Sequence, residues 1–336
     1  MARILIWGAG AIGGTAGAYL VRAGHDVTFV DVVPEHVAAI RGPGLHIHGP
    51  IADFTITAPA FLPEDLVGEW DMVFLAVKAH HTEQASRALL PHLGQMGYVL
   101  SLQNGLCEKV IERIVGRDRV IGAFVNYSAD WMGPGDIMYG GRGAVVLGEI
   151  TGRMTPRLAA LHELMLAFEP NAVTTDNIWG YLWGKLGYGA MLFAQALGMA
   201  GIADCLARPE LLPVFSALAR ETVEVTMAEG IEPKGFNGFE PAAFMPNAPR
   251  ELAAKAISDL VAFNRPNAKT HSGVWRDLAI RKRRTEVDVQ IAPIFQIGEK
   301  HGLECPTVRK LVALIHEVEA GTRPLHDDNL LELIQS

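Results

Sequence analysis

The residues with the clearest chemical meaning stand at the start of the chain. An apolar run, Ile4 to Trp7, is followed at once by Gly8-Ala9-Gly10-Ala11-Ile12-Gly13. An alanine- and leucine-rich stretch then extends to Ala23, and a second apolar run, Val27 to Val30, ends at Asp31. Strand, G-x-G-x-x-G turn, helix, strand and acid form, in that order, the fingerprint of a dinucleotide-binding unit.

Each glycine of this turn has its own physical task. Gly8 allows the tight turn, Gly10 lets the backbone approach a pyrophosphate, and Gly13 lets the helix pack on the strand. The free N–H groups and the dipole of the helix start favour phosphate binding. We therefore expect the cofactor to contact the backbone of Gly8, Ala9, Gly10, Ala11, Ile12 and Gly13.

Asp31 decides which dinucleotide is expected. A carboxylate at this strand end accepts hydrogen bonds from the ribose hydroxyls and repels a 2′-phosphate, which favours NAD over NADP. The alternative is a solvated acid at a strand end, and NADP then stays open as the cofactor.

Length and composition bound the remaining classes. The 336 residues suit two domains, and a net charge of -8 gives no support for binding nucleic acid or an anionic membrane. The cysteines, Cys107, Cys205 and Cys305, are too widely spaced for a disulfide framework or a zinc site. We find neither a signal peptide nor a membrane span, and expect a cytoplasmic protein. His80 and His81 lack a third ligand, so no metal is expected.

Two strand ends in the first half carry polar residues. Lys78 follows the apolar run Asp71 to Val77, and Asn104 follows the run Tyr98 to Leu102. Open α/β sheets bind ligands at the carboxyl ends of their strands. Further strands are expected at Leu45–His48, Phe54–Ala58, Val120–Val125, Asp136–Tyr139 and Ala144–Leu147, with helices at Pro34–Ile40 and Thr82–Leu90.

From Asn177 onward the pattern is helical. The expected helices are Trp179–Met199, Leu211–Glu229, Arg250–Ala262, one long segment around Leu278–His301, and Thr307–Ala320. The sequence thus predicts an α/β protein with a Rossmann-like dinucleotide-binding domain over residues 1–175 and an all-helical substrate and dimerisation domain over 176–336. An apolar stripe on the first long helix suits a core or a dimer surface; its members are Trp179, Trp183, Met191 and Phe193.

Several motifs, taken jointly and in order, resemble the ketopantoate reductase (2-dehydropantoate 2-reductase) family along nearly the whole chain. They are Gly8 to Gly14, Lys78-Ala79, Gln103-Asn104-Gly105, Asn177-Ile178-Trp179, Trp183-Gly184-Lys185-Leu186 and Arg284-Thr285-Glu286-Val287-Asp288.

The resemblance implies hydride transfer between a nicotinamide and a 2-oxo or 2-hydroxy acid in a cleft between two domains. It implies that Lys185 is the general acid and that Glu286 orients the substrate, with Asn104 and Lys78 near the nicotinamide. It also implies a homodimer and a helical domain like the C-terminal domain of 6-phosphogluconate dehydrogenase. The chemistry suits these residue types, since a proton-bearing cation stabilises the negative charge that develops on a reduced carbonyl oxygen.

Taken singly, the same residues have ordinary interpretations. Lys185 would be a solvated helix residue, Glu286 an ion-pair partner of the basic run before it, Asn104 a turn residue and Lys78 a surface charge.

The chain also departs from the family pattern. Asparagines are expected four and eight residues after the lysine, where Gly189 and Phe193 stand, and a serine is expected at Val274. Three polar contacts for ketopantoate are therefore missing, which favours a different 2-oxo or 2-hydroxy acid. New polar candidates for substrate contact are Tyr188, His271 and Ser272; a histidine in such a turn otherwise caps or packs.

Three functions follow for testing. The first is an NAD-preferring dehydrogenase of a small 2-oxo or 2-hydroxy acid other than ketopantoate. The second is a genuine 2-dehydropantoate 2-reductase of pantothenate biosynthesis, and the third is a binding protein that senses the dinucleotide without turnover.

Overall fold

The computed structural model describes residues 2–266 and 270–335. The chain divides into two compact units, with the boundary between Ile178 and Trp179. The first unit is built on β-sheets and the second on helices, so the predicted fold class is confirmed. In the described ranges, no helix combines the length and the apolar character needed to cross a membrane.

Twelve strands are described in the first unit. They are β1 (Ile4–Trp7), β2 (Val27–Val30), β3 (Leu45–His48), β4 (Phe54–Ile56), β5 (Ala60–Phe61), β6 (Trp70–Leu75), β7 (Leu93–Ser101), β8 (Val120–Val125), β9 (Ser128–Gly133), β10 (Asp136–Gly141), β11 (Val145–Glu149) and β12 (Val173–Thr174). Its helices are α1 (Ala11–Arg22), α2 (Pro34–Arg41), α3 (Thr82–Leu89), α4 (Glu108–Val115) and α5 (Pro156–Met165).

The main sheet has eight strands in the order β12-β11-β8-β7-β6-β1-β2-β5. Its centre is parallel: β1 pairs with β2 on one side and β6 on the other, and β6 pairs with β7. All four residues of β1 and of β2 are buried, as expected of strands covered on both faces. The parallel arrangement brings the carboxyl ends of β1, β2, β6 and β7 to one edge of the sheet.

A second sheet, in the order β4-β3-β10-β9, packs with α1. Aromatic rings fill the core there: Tyr19 of α1 lies edge-on to Tyr139, at 5.9 Å between ring centroids, and to Phe168, at 5.4 Å. The β9–β10 hairpin thus becomes part of the layer that supports the first helix.

The second unit consists of α6 (Ile178–Gln195), α7 (Ile202–Leu206), α8 (Leu212–Ala228), α9 (Arg250–Asn264), α10 (Gly273–Ala279), α11 (Val287–Gln290), α12 (Ala292–Lys300) and α13 (Pro306–Glu319). Trp183, Met191 and Phe193 of α6 are at most 2% exposed. Of the two interpretations of the apolar stripe, the structure therefore favours the core for these three residues.

The prediction of one long helix around 278–301 was wrong. The segment is divided among α10, α11 and α12. Asp277 accepts hydrogen bonds from Arg281 and Arg283, and Lys282 between them has a φ of 50°, outside the helical region. These contacts fold the basic run back on α10 and end the helix.

Other differences are smaller. Strands β1, β2, β3 and β8 have the predicted bounds, whereas β7 begins five residues earlier, at Leu93 rather than Tyr98. Sequence periodicity did not predict β5, β9, β12, α4, α5 or α7. Several of these are short or lie at sheet edges, where periodicity is a weak signal.

Candidate functional site

The glycine turn between β1 and α1 has the tight geometry that its sequence predicts. Gly8 has a φ of +98°, and a Cβ there would lie 2.8 Å from the Val77 backbone nitrogen. A Cβ on Gly13 would lie 2.1 Å from the Gly8 carbonyl oxygen. A Cβ on Gly10, by contrast, would meet no protein atom within 4 Å. The turn is therefore packed tightly by its first and third glycines and open at its second.

The start of α1 offers backbone donors beside this open position. Its N-cap residue is Gly10, no side chain caps it, and its first turn contains no acid. The Ile12 carbonyl accepts a hydrogen bond of 2.8 Å from the Tyr127 hydroxyl, which connects this first turn to the residues before β9. First-turn N–H groups have no partner within the helix and bind anions well. The space above Gly10 thus fits a dinucleotide pyrophosphate.

Asp31 ends β2 next to this turn. Its Oδ2 accepts a hydrogen bond of 2.9 Å from Ala9 N–H, and its Oδ1 accepts one of 3.1 Å from Val33 N–H. Each carboxylate oxygen has a second lone pair for a further donor such as a ribose hydroxyl. The carboxylate is held by the backbone on both sides and retains its capacity to accept.

Sequence reasoning missed His36, on α2. The ring is 1% exposed; its Nε2 lies 2.8 Å from the Ala9 carbonyl oxygen, and its Nδ1 accepts the Gly135 N–H at 2.9 Å. A single histidine five residues after Asp31 gives no signal in sequence, because its partner Gly135 is 99 positions away.

Lys78 and Asn104 follow the adjacent parallel strands β6 and β7, at the same sheet edge as the glycine turn. Both residues are exposed. The loop of Lys78 contacts the turn through the close approach of Val77 to Gly8. The Cys107 thiol, 3.2 Å from the Asn104 carbonyl oxygen, anchors the second loop. The two predicted nicotinamide contacts thus share an edge with the predicted pyrophosphate site.

A buried hydrogen-bond network joins these two loops. The Gln103 side-chain amide donates to the Val77 carbonyl and to the Thr82 hydroxyl, both at 2.9 Å. The Thr82 hydroxyl in turn donates to the Ala79 carbonyl at 2.6 Å. The carbonyls on both sides of Lys78 are therefore held by side chains that are at most 3% exposed.

In the second unit, Lys185 lies in α6 and is partly buried. One helical turn later, Gly189 leaves an open position, since a Cβ there would meet only Ile291 Cδ1, at 4.0 Å. Phe193, a further turn along, is packed in the core at 2% exposure. At the two positions where the family pattern has asparagine amides, α6 therefore has a glycine without a side chain and a buried apolar ring.

Tyr188 is held within an aromatic group. Its hydroxyl donates to Asn264 Oδ1 at 3.1 Å, and its ring lies edge-on to Phe236, with centroids 5.9 Å apart. Burial raises the pKa of Tyr188 to about 12. The phenol therefore stays protonated near neutral pH, with its proton directed to Asn264 and its oxygen able to accept a further hydrogen bond.

His271 and Ser272 lie near the far end of α6. Ser272 Oγ caps α10 by accepting the Trp275 N–H at 3.1 Å, and His271 Nε2 lies 3.1 Å from the Met199 carbonyl oxygen. Ten residues of helix separate Lys185 from Gln195, a rise of roughly 15 Å. The structure thus gives both residues structural partners, and their role in substrate binding stays a prediction.

Glu286 is the N-cap residue of α11 and is partly buried. The preceding residue, Thr285, donates both its N–H and its hydroxyl to Glu319, each at 2.7 Å, which fixes the approach to the helix. The segment that Glu286 begins leads to Ile291, the neighbour of Gly189. The residue that follows α11 therefore approaches α6 one helical turn after Lys185.

No cluster of three or more histidine, cysteine or acidic side chains in the described ranges has the arrangement of a metal site. A glycine turn open to pyrophosphate, an acid at the end of β2 and polar residues at the ends of β6 and β7 are the features of a nicotinamide-dependent dehydrogenase. The fold and these residues together define an NAD(P)-dependent oxidoreductase.

Comparison with known proteins specifies the family. The family model described as ketopantoate reductase PanE/ApbA matches residues 4–152, and the model of its C-terminal domain matches residues 177–319. The chain belongs to the ketopantoate reductase family, as its motifs predicted.

Individual relatives align over nearly the whole chain. A 2-dehydropantoate 2-reductase from Archaeoglobus fulgidus is 29% identical over 95% of this chain and 98% of its own. A crystal structure of a PanE/ApbA family ketopantoate reductase from Ralstonia eutropha JMP134 has 27% identity and a TM-score of 0.80, covering 95% and 99% of the two chains. The ternary structure of D-mandelate dehydrogenase with NADH and anilino(oxo)acetate shares the fold, with a TM-score of 0.82, 23% identity and coverage of 95% and 98%.

Proposed function

We propose that this enzyme transfers a hydride between NAD(H) and C2 of a small 2-oxo or 2-hydroxy acid, with Lys185 as the general acid and base. We further propose that the physiological acid is not ketopantoate. The observation that carries this proposal is the stretch of α6 after Lys185, where an open Gly189 and a buried Phe193 replace the two asparagines of the family pattern.

The first unit supplies the cofactor site. The space beside Gly10 is open because glycine has no Cβ, and the N–H groups that begin α1 can bind a pyrophosphate there. Asp31 would accept the ribose hydroxyls, and its charge would oppose the 2′-phosphate of NADP. Bound NADH supplies the hydride. These contacts support NAD as the preferred cofactor.

The residues of the chain supply the proton and the orientation. The Lys185 ammonium donates a proton to the carbonyl oxygen as negative charge develops there, and in the reverse direction the amine accepts it. Glu286 accepts a hydrogen bond from the substrate or pairs with the lysine. Asn104 and Lys78 would contact the nicotinamide end of the cofactor, and the Tyr188 oxygen, whose proton bonds Asn264, can accept a hydrogen bond from the substrate.

The missing amides bear on the substrate. A site that binds a substrate hydroxyl through hydrogen bonds loses that selectivity when its polar groups are absent. Gly189 offers open space beside the apolar Ile291, which favours an apolar substituent on the acid, and Phe193, buried in the core, offers no polar group in place of the second amide.

Ketopantoate itself is the second candidate. The curated relatives with 25–30% identity over nearly the whole chain are named 2-dehydropantoate 2-reductase. Other groups of this chain would then have to replace the missing amides.

The test is NADH oxidation against ketopantoate and a panel of 2-oxo acids with linear, branched and aromatic apolar side chains. We expect kcat/KM to be at least about tenfold higher for an apolar acid than for ketopantoate, a difference of about 1.4 kcal/mol in transition-state binding. A preference for ketopantoate would establish the second candidate. NADH binding without turnover of any acid would leave a dinucleotide-sensing protein.

Sedimentation of the same sample tests the homodimer that the family resemblance implies.

A further inference from the structure

His36 lies between two parts of the first unit that are far apart in sequence. Its Nε2 is 2.8 Å from the carbonyl oxygen of Ala9, at the centre of the glycine turn. Its Nδ1 is 2.9 Å from the backbone nitrogen of Gly135, in the turn between β9 and β10. The ring is 1% exposed, and Trp131 of β9 lies edge-on to it with a centroid distance of 6.1 Å.

The two partners fix the tautomer of the ring. A backbone N–H can only donate, so Nδ1 must be the unprotonated acceptor facing Gly135. A carbonyl oxygen can only accept, so Nε2 must carry the proton that bonds Ala9. The imidazole is therefore neutral and uses both of its nitrogens.

The contact with Ala9 determines the direction of a peptide plane in the turn. The Ala9–Gly10 peptide is planar and trans, so its C=O and N–H point in opposite directions. By holding the Ala9 oxygen, His36 also aims the Gly10 N–H away from the imidazole. The preceding peptide, Gly8–Ala9, is held by Asp31 through the Ala9 N–H. Two successive peptides of the turn are thus oriented by side chains that follow β2.

The turn at Gly135 is itself closely packed. Gly135 has a φ of +72°, and a Cβ there would lie 2.7 Å from the Ala39 Cβ of α2. The β9–β10 turn can therefore bring its N–H against His36 only because this residue is glycine. His36 is supported on the side opposite the glycine turn by a rigid backbone contact.

We propose that His36 is a positioning residue for dinucleotide binding. It orients the Ala9–Gly10 peptide so that the open face of Gly10 and the start of α1 are ready for a pyrophosphate. Because the same ring bonds Gly135, the orientation of that peptide also depends on where the β9–β10 turn lies. The cofactor affinity of this chain then depends on a buried histidine that touches no cofactor atom.

Two substitutions separate the contacts of the ring. In His36→Gln the amide nitrogen takes a position similar to Nε2 and can still donate to Ala9. In His36→Asn the amide oxygen takes a position similar to Nδ1 and can still accept from Gly135, while the bond to Ala9 is lost. We expect the Kd for NADH, measured by fluorescence titration, to rise about tenfold in the Asn variant and less than about threefold in the Gln variant; tenfold is about 1.4 kcal/mol.

The control is His162, whose Nε2 donates to the Ala172 carbonyl at 2.8 Å in the same unit. His162→Asn removes a comparable hydrogen bond, and we expect the Kd for NADH to be unchanged. The KM for the 2-oxo acid at saturating NADH should be unaffected in all three variants. A Kd for His36→Asn no larger than that for His36→Gln would overturn the proposal, as would an equal rise in His162→Asn.

The proposal can also be tested on the wild-type protein, which does not depend on whether the His36 variants fold. In ¹⁵N spectra of histidine-labelled protein, His36 should show an unprotonated Nδ1 and a protonated Nε2. Saturation with NADH should shift the Nε2 resonance, because the peptide it holds contacts the cofactor. An opposite tautomer, or resonances that do not move on saturation, would overturn the proposal.

Discussion

The Asp31 carboxylate and the Ala9 backbone N–H form a hydrogen bond of 2.9 Å that joins the end of β2 to the glycine turn. The predicted ribose acceptor is therefore also a structural part of the pyrophosphate site. One side chain connects the two halves of the proposed NAD contact, and the charge of Asp31 is held in place rather than free to turn away.

Asp31→Asn should shift the cofactor preference toward NADPH. The substitution removes the charge that opposes a 2′-phosphate, but it also weakens the contacts with Ala9 and Val33. The weaker backbone contacts should affect NADH and NADPH equally. The ratio of kcat/KM for NADH to that for NADPH therefore reports the effect of the Asp31 charge alone. We expect this ratio to fall about tenfold, about 1.4 kcal/mol. An unchanged ratio, or a wild-type preference for NADPH, would contradict the role given to Asp31.

Gly10→Ala and Gly13→Ala form a matched pair. A methyl group at Gly10 meets no protein atom within 4 Å, whereas one at Gly13 would lie 2.1 Å from the Gly8 oxygen. We expect Gly10→Ala to unfold at the wild-type temperature and to bind NADH at least about tenfold more weakly, about 1.4 kcal/mol. Gly13→Ala should lose stability by about 1–3 kcal/mol from overpacking. Thermal unfolding with and without NADH measures the stability and the NADH binding of each variant. Tight NADH binding by a folded Gly10→Ala protein would contradict a pyrophosphate site at this position.

Comparison of Thr82→Val with Thr82→Ser tests whether the hydrogen bonds of the Thr82 hydroxyl position the Lys78 loop. Valine has nearly the same shape but removes the hydroxyl that accepts from the Gln103 amide and donates to the Ala79 carbonyl, at a cost of about 0.5–1.5 kcal/mol in stability for each hydrogen bond. Serine retains the hydroxyl. We expect kcat/KM to fall in the valine variant, because the Lys78 loop is released, and to remain near wild type in the serine variant. Identical kinetics for the two folded variants would show that the network does not position the loop.

Gly189→Asn restores one amide of the family pattern. The position has room for a side chain, with Ile291 Cδ1 4.0 Å from a Cβ. Replacing a helical glycine also stabilises a helix, by up to about 0.5–1 kcal/mol for a good helix former such as leucine and by less for asparagine, so Gly189→Leu serves as the control of similar size. We expect kcat/KM for ketopantoate to rise about tenfold, about 1.4 kcal/mol, in the asparagine variant alone. Equal changes in both variants would mean that this position does not contact the substrate.

How much the sequence could predict depends on whether the determining contacts are local. The glycine turn, β1, β2 and Asp31 were predicted because their signal lies within some thirty consecutive residues. The bond between His36 and Gly135 spans 99 positions and exists only because β10 pairs with β3. Lys185 and Glu286 gained their predicted roles from the family resemblance, since their residue types alone favour a solvated helix residue and a surface ion pair.

The same limit applies in the helical unit. The periodicity from 278 to 301 predicted one helix, but the side chains of Arg281 and Arg283 bond Asp277 and break it. Ser272 was predicted to contact the substrate; its hydroxyl caps α10, and the substrate contact stays a prediction. Capping residues and substrate ligands are drawn from the same side-chain types, so only the partner distinguishes them.

The most direct test of the proposed chemistry is a single-turnover measurement of NADH oxidation by Lys185→Ala and Lys185→Met with the best acid of the panel. We expect the rate of the hydride-transfer step to fall by about 10²–10⁴-fold, the usual contribution of a general acid, while the Kd for NADH stays within about twofold. Added ammonium or methylamine should restore part of the rate in the alanine variant, where space is left for it. A hydride-transfer rate in both variants equal to that of the wild type would contradict the account.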